Sequence, residues 1–439
     1  MFERFKAALV SSPYVPPAEE MKTTVPVVPY VAVNGLGAWI AAQQAEGDAE
    51  PALVEGDTGV HGSAKAPSVL DMLCRQIERS GAAPVRPVWL DPLPTHLPLG
   101  TLIDIADNAA PRTCMAVFGT VDDPKHQSQF PLEWDFTGAG ANLVIVGSPS
   151  TGKSTLVRTM VTSMSARYAP GDVAFYIIDY GGGSLSPLAA LPHVATVTSR
   201  VDPERIQRTV NDVRTTLNRR EQLFREKGID SMAAFRRARE NGDLPGESGD
   251  VFLIVDGWGT FREEYDDLDY AVADIAARGA NFGVHVIVTV TQGMQVRMRM
   301  MSAMGGRIEL RMNDAYDSEF ERKMMEQVPK ETIGRGLTGD RKSALIFQTA
   351  LPALGLPELA PGEDYDDSHL QAGQSELLAA ISDKWGDLAV DKVEVLPSVV
   401  RLSELPALRK GADQFVVGLS EMNLGPAAIS LMGSEPHLQ

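Results

Sequence analysis

Residues 147–154 read Gly147-Ser148-Pro149-Ser150-Thr151-Gly152-Lys153-Ser154, which fits the pattern G-x-x-x-x-G-K-[ST] of a phosphate-binding loop. The apolar residues 143–146 precede it and are typical of a buried strand. Residues 155–167 follow it with the pattern of an amphipathic helix. The order of strand, loop and helix is the one that this motif requires. The stretch therefore predicts an α/β nucleotide-binding fold.

The chemistry of the loop suits a nucleotide bound with a divalent cation. Bare backbone amides can surround the β-phosphate, Lys153 can span the β- and γ-phosphates, and the Ser154 hydroxyl can hold Mg²⁺. We therefore predict ATP and Mg²⁺ as cofactors. The residues predicted to bind the nucleotide are Gly147, Ser148, Pro149, Ser150, Thr151, Gly152, Lys153, Ser154 and Thr155.

A second apolar stretch, residues 251–255, ends in Asp256. This arrangement places a carboxylate beside Mg²⁺ in P-loop ATPases, so Asp256 is a predicted metal residue, acting through water. Hydrolytic relatives often carry a glutamate directly after this aspartate, but Gly257 follows here. Loss of a general base slows a reaction by about 10²- to 10⁴-fold. The sequence therefore predicts an ATPase with low intrinsic hydrolysis.

Two further polar positions follow predicted strands. Thr291 and Gln292 end the stretch 284–290 and are candidate γ-phosphate sensors, although a polar pair at a strand end is also ordinary loop chemistry. With Lys153 and Asp256, Gln292 completes the predicted catalytic set. Asp179 precedes three glycines, and it either supports the site or caps the turn.

The central part of the chain alternates strand-like and helix-like segments, which is typical of a mostly parallel sheet flanked by helices. The predicted core strands are residues 143–146, 173–178, 193–197, 251–255 and 284–290. Asp202 and Pro203 predict the start of a long helix that reaches residue 225. Residues 333–338 and 343–348 predict a hairpin that closes the edge of the sheet.

Composition narrows the class of protein. The formal charge of −18 over 439 residues disfavours extensive binding to a nucleic-acid backbone, so nucleic acid is an unlikely partner. No apolar stretch reaches the roughly 18–20 residues of a membrane span, which predicts a cytosolic chain.

Some short segments of the chain resemble other segments of the same chain. Residues 5–9 resemble residues 347–351, and residues 396–408 with 416–419 resemble residues 93–102 with 117–120. We predict three parts: 1–84 as the tail of a preceding module and a linker, 85–360 as one ATPase module, and 361–439 as an acidic linker and the start of a following module. On this hypothesis the chain ends just before another phosphate loop. Coincidence between short apolar segments is the alternative.

Five motifs together resemble the FtsK/SpoIIIE class of P-loop translocases, and in particular its EccC branch, the multi-ATPase motors of type VII secretion. The motifs are residues 147–154, 178–183, 256–258, 290–292 and 334–337. The resemblance implies a RecA-like P-loop NTPase of the FtsK/SpoIIIE type, with this chain as the second ATPase module. The family's glutamate has no counterpart here, because Gly257 occupies its position. This agrees with the later ATPase modules of EccC proteins, which look degenerate in comparison with the first module.

The resemblance further implies a cytoplasmic ATPase at the inner face of the cell membrane, as part of a membrane-anchored ESX complex that exports WXG100-type proteins. Its partners would be membrane components of the secretion system and neighbouring modules or subunits, including hexamers. In the family an arginine from one unit completes the pocket of another. Candidates here are Arg219, Arg220 and Arg307, each of which is also suited to a surface ion pair.

Two rival functions stay open at this level. One is an FtsK-like DNA translocase, which predicts DNA-stimulated hydrolysis and a steep salt dependence of DNA binding. The other is an interaction scaffold in which ATP is a structural ligand, raising the melting temperature without turnover.

Overall fold

The computed structural model describes residues 68–81, 90–107, 114–359, 364–397, 399–405, 414–420 and 425–430. The chain divides into two compact units, residues 1–87 and 88–439. In the first unit the described element is helix α1 (Val69–Arg79), which begins after Ser68, whose side chain accepts a hydrogen bond from the Asp71 amide. The predicted tail of a preceding module at residues 5–9 lies outside the described residues.

The second unit contains the remaining described strands and helices. The strands are β1 (Met115–Asp123), β2 (Ser128–Asp135), β3 (Leu143–Val146), β4 (Val173–Asp179), β5 (Val194–Ser199), β6 (Asp250–Asp256), β7 (Val284–Val290), β8 (Gly306–Leu310), β9 (Arg335–Thr338), β10 (Leu345–Thr349), β11 (Gln414–Leu419) and β12 (Pro426–Ser430). The helices are α2 (Lys153–Arg167), α3 (Pro203–Lys227), α4 (Met232–Glu240), α5 (Trp258–Glu264), α6 (Asp266–Gly279), α7 (Met298–Met301), α8 (Arg322–Gln327) and α9 (Asp367–Trp385).

Ten of these strands form one sheet in the order β2-β1-β10-β9-β8-β3-β7-β6-β4-β5. The strands from β8 to β5 pair in parallel, and those from β2 to β9 are antiparallel to their neighbours. The mostly parallel α/β sheet predicted from the sequence is therefore confirmed. The five predicted core strands correspond to β3–β7, and β8 is a sixth parallel strand that sequence patterns missed.

The predicted hairpin forms, but its predicted place at the sheet edge is wrong. Strands β9 and β10 pair antiparallel and lie inside the sheet, because β1 adds on the far side of β10 and β2 follows it. The opposite edge, β5, is partly covered by the segment after α9. There the Val390 and Val393 amides donate to the carbonyl oxygens of Pro192 and Ala195 at 2.9 and 3.0 Å.

Helix α2 is buried on nearly every side, so the prediction of an amphipathic helix at residues 155–167 is wrong. Ten of its residues, from Leu156 to Ala166, are buried. One side packs on the sheet and the other contacts α9, where the Trp385 indole Nε1 donates to the Ser165 carbonyl oxygen at 2.7 Å. A helix enclosed in this way has no solvent face to be polar.

Helix α3 starts as predicted, with Asp202 as N-cap and Pro203 in the first turn. The Asp202 carboxylate accepts a hydrogen bond from the Arg205 amide at 3.1 Å. Together α3, α5 and α6 cover the face of the sheet opposite α2. In the part of the chain that the structure describes, no helix is long and apolar enough to cross a membrane.

A buried charge cluster joins the amino-terminal ends of β6 and β7. Asp250 accepts two hydrogen bonds from the Arg236 guanidinium, at 2.8 and 3.0 Å, and faces Nε2 of His285 at 3.0 Å. The other ring nitrogen of His285 faces the Ala141 carbonyl oxygen at 2.9 Å. Both ring nitrogens of His285 thus lie within hydrogen-bond distance of an oxygen. Burial alone would raise the pKa of Asp250, but the bonds from His285 and Arg236 outweigh it and hold the pKa at about 2.

We expect Asp250→Asn to destabilise the protein by about 3–5 kcal/mol at pH 7, because the Arg236 guanidinium loses its charged partner inside the cluster. The folded-state pKa lies below its ordinary value of 3.8, so the carboxylate stabilises the fold above about pH 4. That contribution, about 2 kcal/mol, is lost as the pH falls from about 4 to 2. Urea unfolding of both proteins between pH 2 and 7 measures the effect.

Asp172→Asn is the matched control, since Asp172 pairs with Arg239 at 3.2 Å but is half exposed. An exposed pair contributes at most about 1 kcal/mol. Equal losses in the two variants would contradict the proposed role of the buried cluster.

Candidate functional site

The phosphate-loop residues connect β3 to α2 at the carboxyl end of the parallel strands, and backbone bonds anchor the loop to both neighbouring strands. The Gly147 amide donates to the Val290 carbonyl oxygen at 3.1 Å, and the Ser148 amide donates to that of Arg311 at 3.0 Å. The Ser148 hydroxyl in turn accepts from the Asn313 amide at 2.7 Å. The start of the loop is therefore held firmly, with Pro149 leading away from it.

The middle of the loop keeps its amides available. The amides of Ser150, Thr151 and Gly152 make no hydrogen bond to another residue in the described parts of the chain. Ser150 and Gly152 both adopt left-handed backbone angles, with φ of 60° and 102°. Alternation of left- and right-handed residues turns successive N–H groups toward one point and makes an anion-binding concavity. The first amides of α2, which starts at Lys153, add further donors without helical acceptors.

Gly152 also allows a neighbouring segment to approach the loop. A Cβ on Gly152 would lie 3.2 Å from the Gly334 nitrogen, and the Gly334 amide donates to the Thr151 carbonyl oxygen at 2.9 Å. Residue 152 must therefore be small as well as left-handed.

Lys153 lies inside this loop. Its Nζ donates to the carbonyl oxygens of Gly147 and Ser148 at 2.7 and 2.8 Å. Burial lowers its pKa, and the charge of Asp256 opposes that effect. A half-buried ammonium whose direct partners are neutral carbonyls is suited to receive an anion such as phosphate.

Ser154 and Asp256, the two residues predicted to hold the metal, are in direct contact. The Ser154 hydroxyl donates to Oδ2 of Asp256 at 2.6 Å, and the Thr289 hydroxyl donates to Oδ1 at 2.5 Å. Asp256 is 1% exposed. Burial raises its pKa most, and the two hydroxyl bonds oppose the rise. A hydroxyl beside a carboxylate is an oxygen donor set that fits Mg²⁺.

Thr289 is a site residue that sequence reasoning missed. Its hydroxyl also accepts a hydrogen bond from the Gly257 amide at 2.8 Å, so it links β7 to the end of β6. Thr289 is a hydroxyl residue among the otherwise apolar residues 286–290 near the end of β7, and that interruption is the signal that could have identified it.

The glycine run after β4 makes room for the carboxylate. A Cβ on Gly181 would lie 2.1 Å from Oδ2 of Asp256, so only glycine fits there. Asp179 caps this turn, accepting bonds from the amides of Gly181 and Leu185 at 2.8 and 2.9 Å. Of the two roles left open for Asp179, turn capping is the one that its contacts support.

Gly257 occupies the position where a glutamate would follow Asp256. Its φ is 83°, and a Cβ there would lie 2.9 Å from Cβ of Tyr180. The backbone angle and the contact with Tyr180 both exclude a larger side chain without strain. The nearby Glu264 is bound to Arg200 and to the Tyr180 hydroxyl.

Thr291 and Gln292 are engaged in local contacts. The amide and hydroxyl of Thr291 donate to Oε1 of Gln295 at 2.9 and 3.0 Å, and Nε2 of Gln292 donates to Asp317 at 3.2 Å. Their assignment as γ-phosphate sensors stays a prediction.

The three candidate intermodule arginines have different surroundings. Arg220 is fully buried, which disfavours it as a donor to a neighbouring subunit, because a side chain without exposed surface cannot reach another chain. Arg219 is half exposed and pairs with Glu247 at 3.1 Å. Arg307 is largely buried and pairs with Glu309 at 2.6 Å. Arg219 is the candidate with the most accessible charge.

Comparisons with known proteins agree with this geometry. The FtsK/SpoIIIE family matches residues 107–351, more than half of the chain. The ESX secretion system protein EccC of Thermomonospora curvata is 34% identical over 446 residues, covering 99% of this chain and 32% of that protein. The ESX-4 secretion system protein EccC4 of Mycobacterium tuberculosis is 33% identical over 386 residues, covering 87% of this chain and 29% of that protein. The chain thus spans about a third of the length of these relatives.

Solved structures show the same likeness. The cytoplasmic domain of the T. curvata type VII secretion ATPase EccC aligns with a TM-score of 0.72 and 34% identity, covering 85% of this chain and 43% of that structure. ATPases 2 and 3 of T. curvata EccC, in complex with a signal sequence peptide, align with a TM-score of 0.68 and 36% identity, covering 78% of this chain and 62% of that structure. Motifs, fold and relatives agree: this chain belongs to the FtsK/SpoIIIE family of P-loop ATPases.

Proposed function

We propose that this chain is an ATP-binding, weakly hydrolysing module of a type VII secretion motor that exports WXG100-type proteins. The observation that carries the proposal is the arrangement of Lys153, Ser154 and Asp256 around a loop with available amides, beside Gly257 in place of a glutamate. ESX relatives at 33–34% identity support the assignment to secretion.

The division of labour in the site follows from its contacts. Loop amides and Lys153 would bind the phosphates, and Ser154 with Asp256 would hold Mg²⁺, which shields phosphate charge when it is bound. Thr289 keeps the Asp256 carboxylate oriented. No carboxylate follows Asp256 to activate water, and the conformation of Gly257 leaves no room for one.

Residues 396–430 support the proposal that another module begins in this chain. In the hairpin β1–β2 the register shifts by one residue between Val117 and Gly119. In the hairpin β11–β12 it shifts in the same way between Val416 and Gly418. Bulges are conserved within families, so a bulge at the same place in both hairpins supports a shared fold.

The segments that precede these hairpins agree as well. Leu99–Thr101 and Leu402–Glu404 each form a single turn of 3-10 helix. Leu99 is fully buried against its module, whereas Leu402 is 81% exposed. We propose that residues 396–430 are the opening elements of a following module, whose core would cover such apolar side chains.

The proposal places the chain in the cytoplasm at the inner face of the membrane, with neighbouring modules or subunits and the membrane components of the secretion system as partners. The signal sequence peptide bound to T. curvata EccC is consistent with recognition of protein cargo by such motors. The acidic charge of this chain favours a protein cargo over DNA.

Nucleotide content and steady-state hydrolysis, measured on one preparation, test the proposal. We expect ATP or ADP retained through purification and turnover close to background, unchanged by added DNA. An empty site at millimolar ATP would contradict nucleotide binding. Rapid turnover would contradict the role given to Gly257, and stimulation by DNA would favour a DNA translocase.

A further inference from the structure

The phosphate loop starts between the carboxyl ends of β7 and β8, and both strands continue there into short polar segments. Backbone hydrogen bonds tie the start of the loop to Val290, the last residue of β7, and to Arg311, the residue after β8. Gln292 lies in the segment after β7, and Asp317 lies in the segment after β8. Both side chains are exposed. The two segments therefore flank the start of the predicted phosphate site.

The side-chain amide of Gln292 is held at both of its polar atoms. The oxygen accepts a hydrogen bond from the Gln295 amide, and Nε2 donates to Oδ2 of Asp317 at 3.2 Å. Because a carboxylate can only accept, Asp317 determines which end of the Gln292 amide is the nitrogen. Nε2 carries two hydrogens, and its contacts with the described residues use one of them. The other hydrogen is available to an acceptor such as a phosphate oxygen.

The segment that carries Asp317 is fixed by a buried carboxylate. The Ser318 hydroxyl donates to Oε2 of Glu309 at 2.5 Å, and the Glu319 amide donates to Oε1 at 3.0 Å. Glu309, on β8, has no exposed surface. An exposed hydrogen bond such as that between Gln292 and Asp317 contributes little by itself, because water competes for both partners. Its geometry therefore depends on the two bonds that Glu309 accepts from the residues after Asp317.

Glu309 also supports the segment after β7, through Arg307. Nε of Arg307 donates to Oε1 of Glu309 at 2.6 Å. A Cβ on Gly293 would lie 3.1 and 3.2 Å from the two terminal nitrogens of Arg307, so this guanidinium packs against the turn that follows Gln292. Glu309 is thus connected to Gln292 from both sides, by the segment after β8 and by the turn after β7.

Stability alone is a poor explanation for a buried ion pair. Apolar residues of similar volume are often equally or more stabilising, because two charges must be desolvated. A fully hydrogen-bonded polar network, in contrast, rigidly orients the groups that it contacts. Glu309 accepts three bonds and joins Arg307 and the segment 314–319 in one network. The effect of this network is to fix the orientation of Gln292.

We propose that Glu309 is a positioning residue, which holds the free Nε2 hydrogen of Gln292 toward the γ-phosphate of bound ATP. The proposal rests on the proposed function, in which the nucleotide occupies the phosphate loop, and on the predicted role of Gln292 as a sensor. Glu309 does not touch the nucleotide, because it has no exposed surface. A donor that is oriented before the ligand arrives needs no reorganisation on binding. Glu309 therefore favours ATP over ADP, which lacks the γ-phosphate.

Glu309→Met tests this role, since methionine retains the length of the side chain and removes both oxygens. Isothermal titration with Mg²⁺ present gives the Kd values for ATP and ADP. We expect the Kd for ATP to rise about tenfold, as for one misplaced hydrogen bond to a charged group, and the Kd for ADP to change by less than about twofold. Gln292→Ala should have the same selective effect. In the double variant the two effects should not add, because both substitutions remove the same contact.

Ser318→Ala is a milder second variant, because it removes one of the three bonds to Glu309 and leaves the ion pair with Arg307 in place. It should weaken ATP binding about threefold, at a melting temperature close to that of the wild type. Glu319→Gln is the matched control. The Glu319 carboxylate lies 3.2 Å from Arg307 but is 57% exposed, and the variant should bind both nucleotides as the wild type does.

Equal losses for ATP and ADP, or losses that add in the double variant, would overturn the positioning role, since both are expected of a residue that only stabilises the fold. An unchanged preference for ATP in Gln292→Ala would overturn it as well. If Glu309→Met does not fold, Ser318→Ala combined with Gln292→Ala decides the question by the same criteria. Failure of the wild-type protein to bind either nucleotide would instead contradict the proposed phosphate site, and with it this proposal.

Discussion

Substitution of Lys153 by alanine is expected to empty the nucleotide site. Two charge-assisted hydrogen bonds to phosphate, of about 1.5–3 kcal/mol each, would be lost, which corresponds to about a hundredfold or more in Kd. The ammonium donates to the Gly147 and Ser148 carbonyl oxygens and lies near Asp256. Among the described residues, no other cationic side chain donates to these two carbonyl oxygens, so none replaces Lys153. Retained nucleotide in the purified variant and its Kd for ATP measure the effect.

The same variant must be shown to fold, since Lys153 also bonds to two carbonyls of its own loop. Its melting temperature without nucleotide should stay close to that of the wild type, and only the rise with added ATP should disappear. Lys125→Ala, at an exposed turn between β1 and β2, should behave as the wild type. Undiminished ATP affinity in the Lys153 variant would contradict the site.

Substitution of Arg220 by methionine is expected to destabilise the fold by about 3–5 kcal/mol. The guanidinium donates to the carbonyl oxygens of Phe282 and Gly283 at 2.8 and 3.0 Å and to that of Ser248 at 2.9 Å, with a further bond to Gly249. These carbonyl oxygens belong to the residues directly before β6 and β7. Burial lowers the pKa of Arg220 to about 10, so the side chain stays charged at neutral pH.

Methionine retains the aliphatic stem and removes the guanidinium, whose central carbon lies 5.4 Å from the centroid of the Phe235 ring. The loss of unfolding free energy in this variant therefore measures mainly the carbonyl oxygens left without a donor. Arg219→Met is the matched control, because its half-exposed side chain makes one ion pair and should contribute about 1 kcal/mol or less. Urea denaturation of both variants measures the two losses of stability. Similar midpoints for the two would show that Arg220 is not the clamp inferred from its contacts.

Arg219 and Arg220 are adjacent in sequence, but only Arg220 is buried, and the sequence alone does not predict that difference. Both arginines occur in a long helix whose start at Asp202 and Pro203 is readable from capping chemistry. Which of them turns inward depends on the loops before β6 and β7, which lie 28 to 63 residues away from Arg220 in the sequence. No local pattern in α3 contains that information.

The same limit applies to the sheet. Apolar runs predicted β3–β7 because a buried parallel strand is continuous in hydrophobic residues. They missed β8, Gly306–Leu310, whose sequence places Arg307 and Glu309 among apolar residues. The charges are accommodated because the two side chains pair with each other at 2.6 Å. Strand order was also beyond the sequence, since β1 and β2 join the sheet beside β10, which comes more than two hundred residues later.

The amino-acid sequence by itself determined the phosphate loop, the acidic residue at the end of β6, the missing glutamate at Gly257 and the family. These are local features, because a tight loop, a strand end and a helix cap each depend on a few adjacent residues. The tertiary structure alone decided that Thr289 orients Asp256, that Arg220 is a buried clamp, and that Gln374 reaches Arg158 across 216 residues of sequence. The reason is that the packing of whole helices and strands determines which distant polar groups pair, and the local sequence contains little information about that packing.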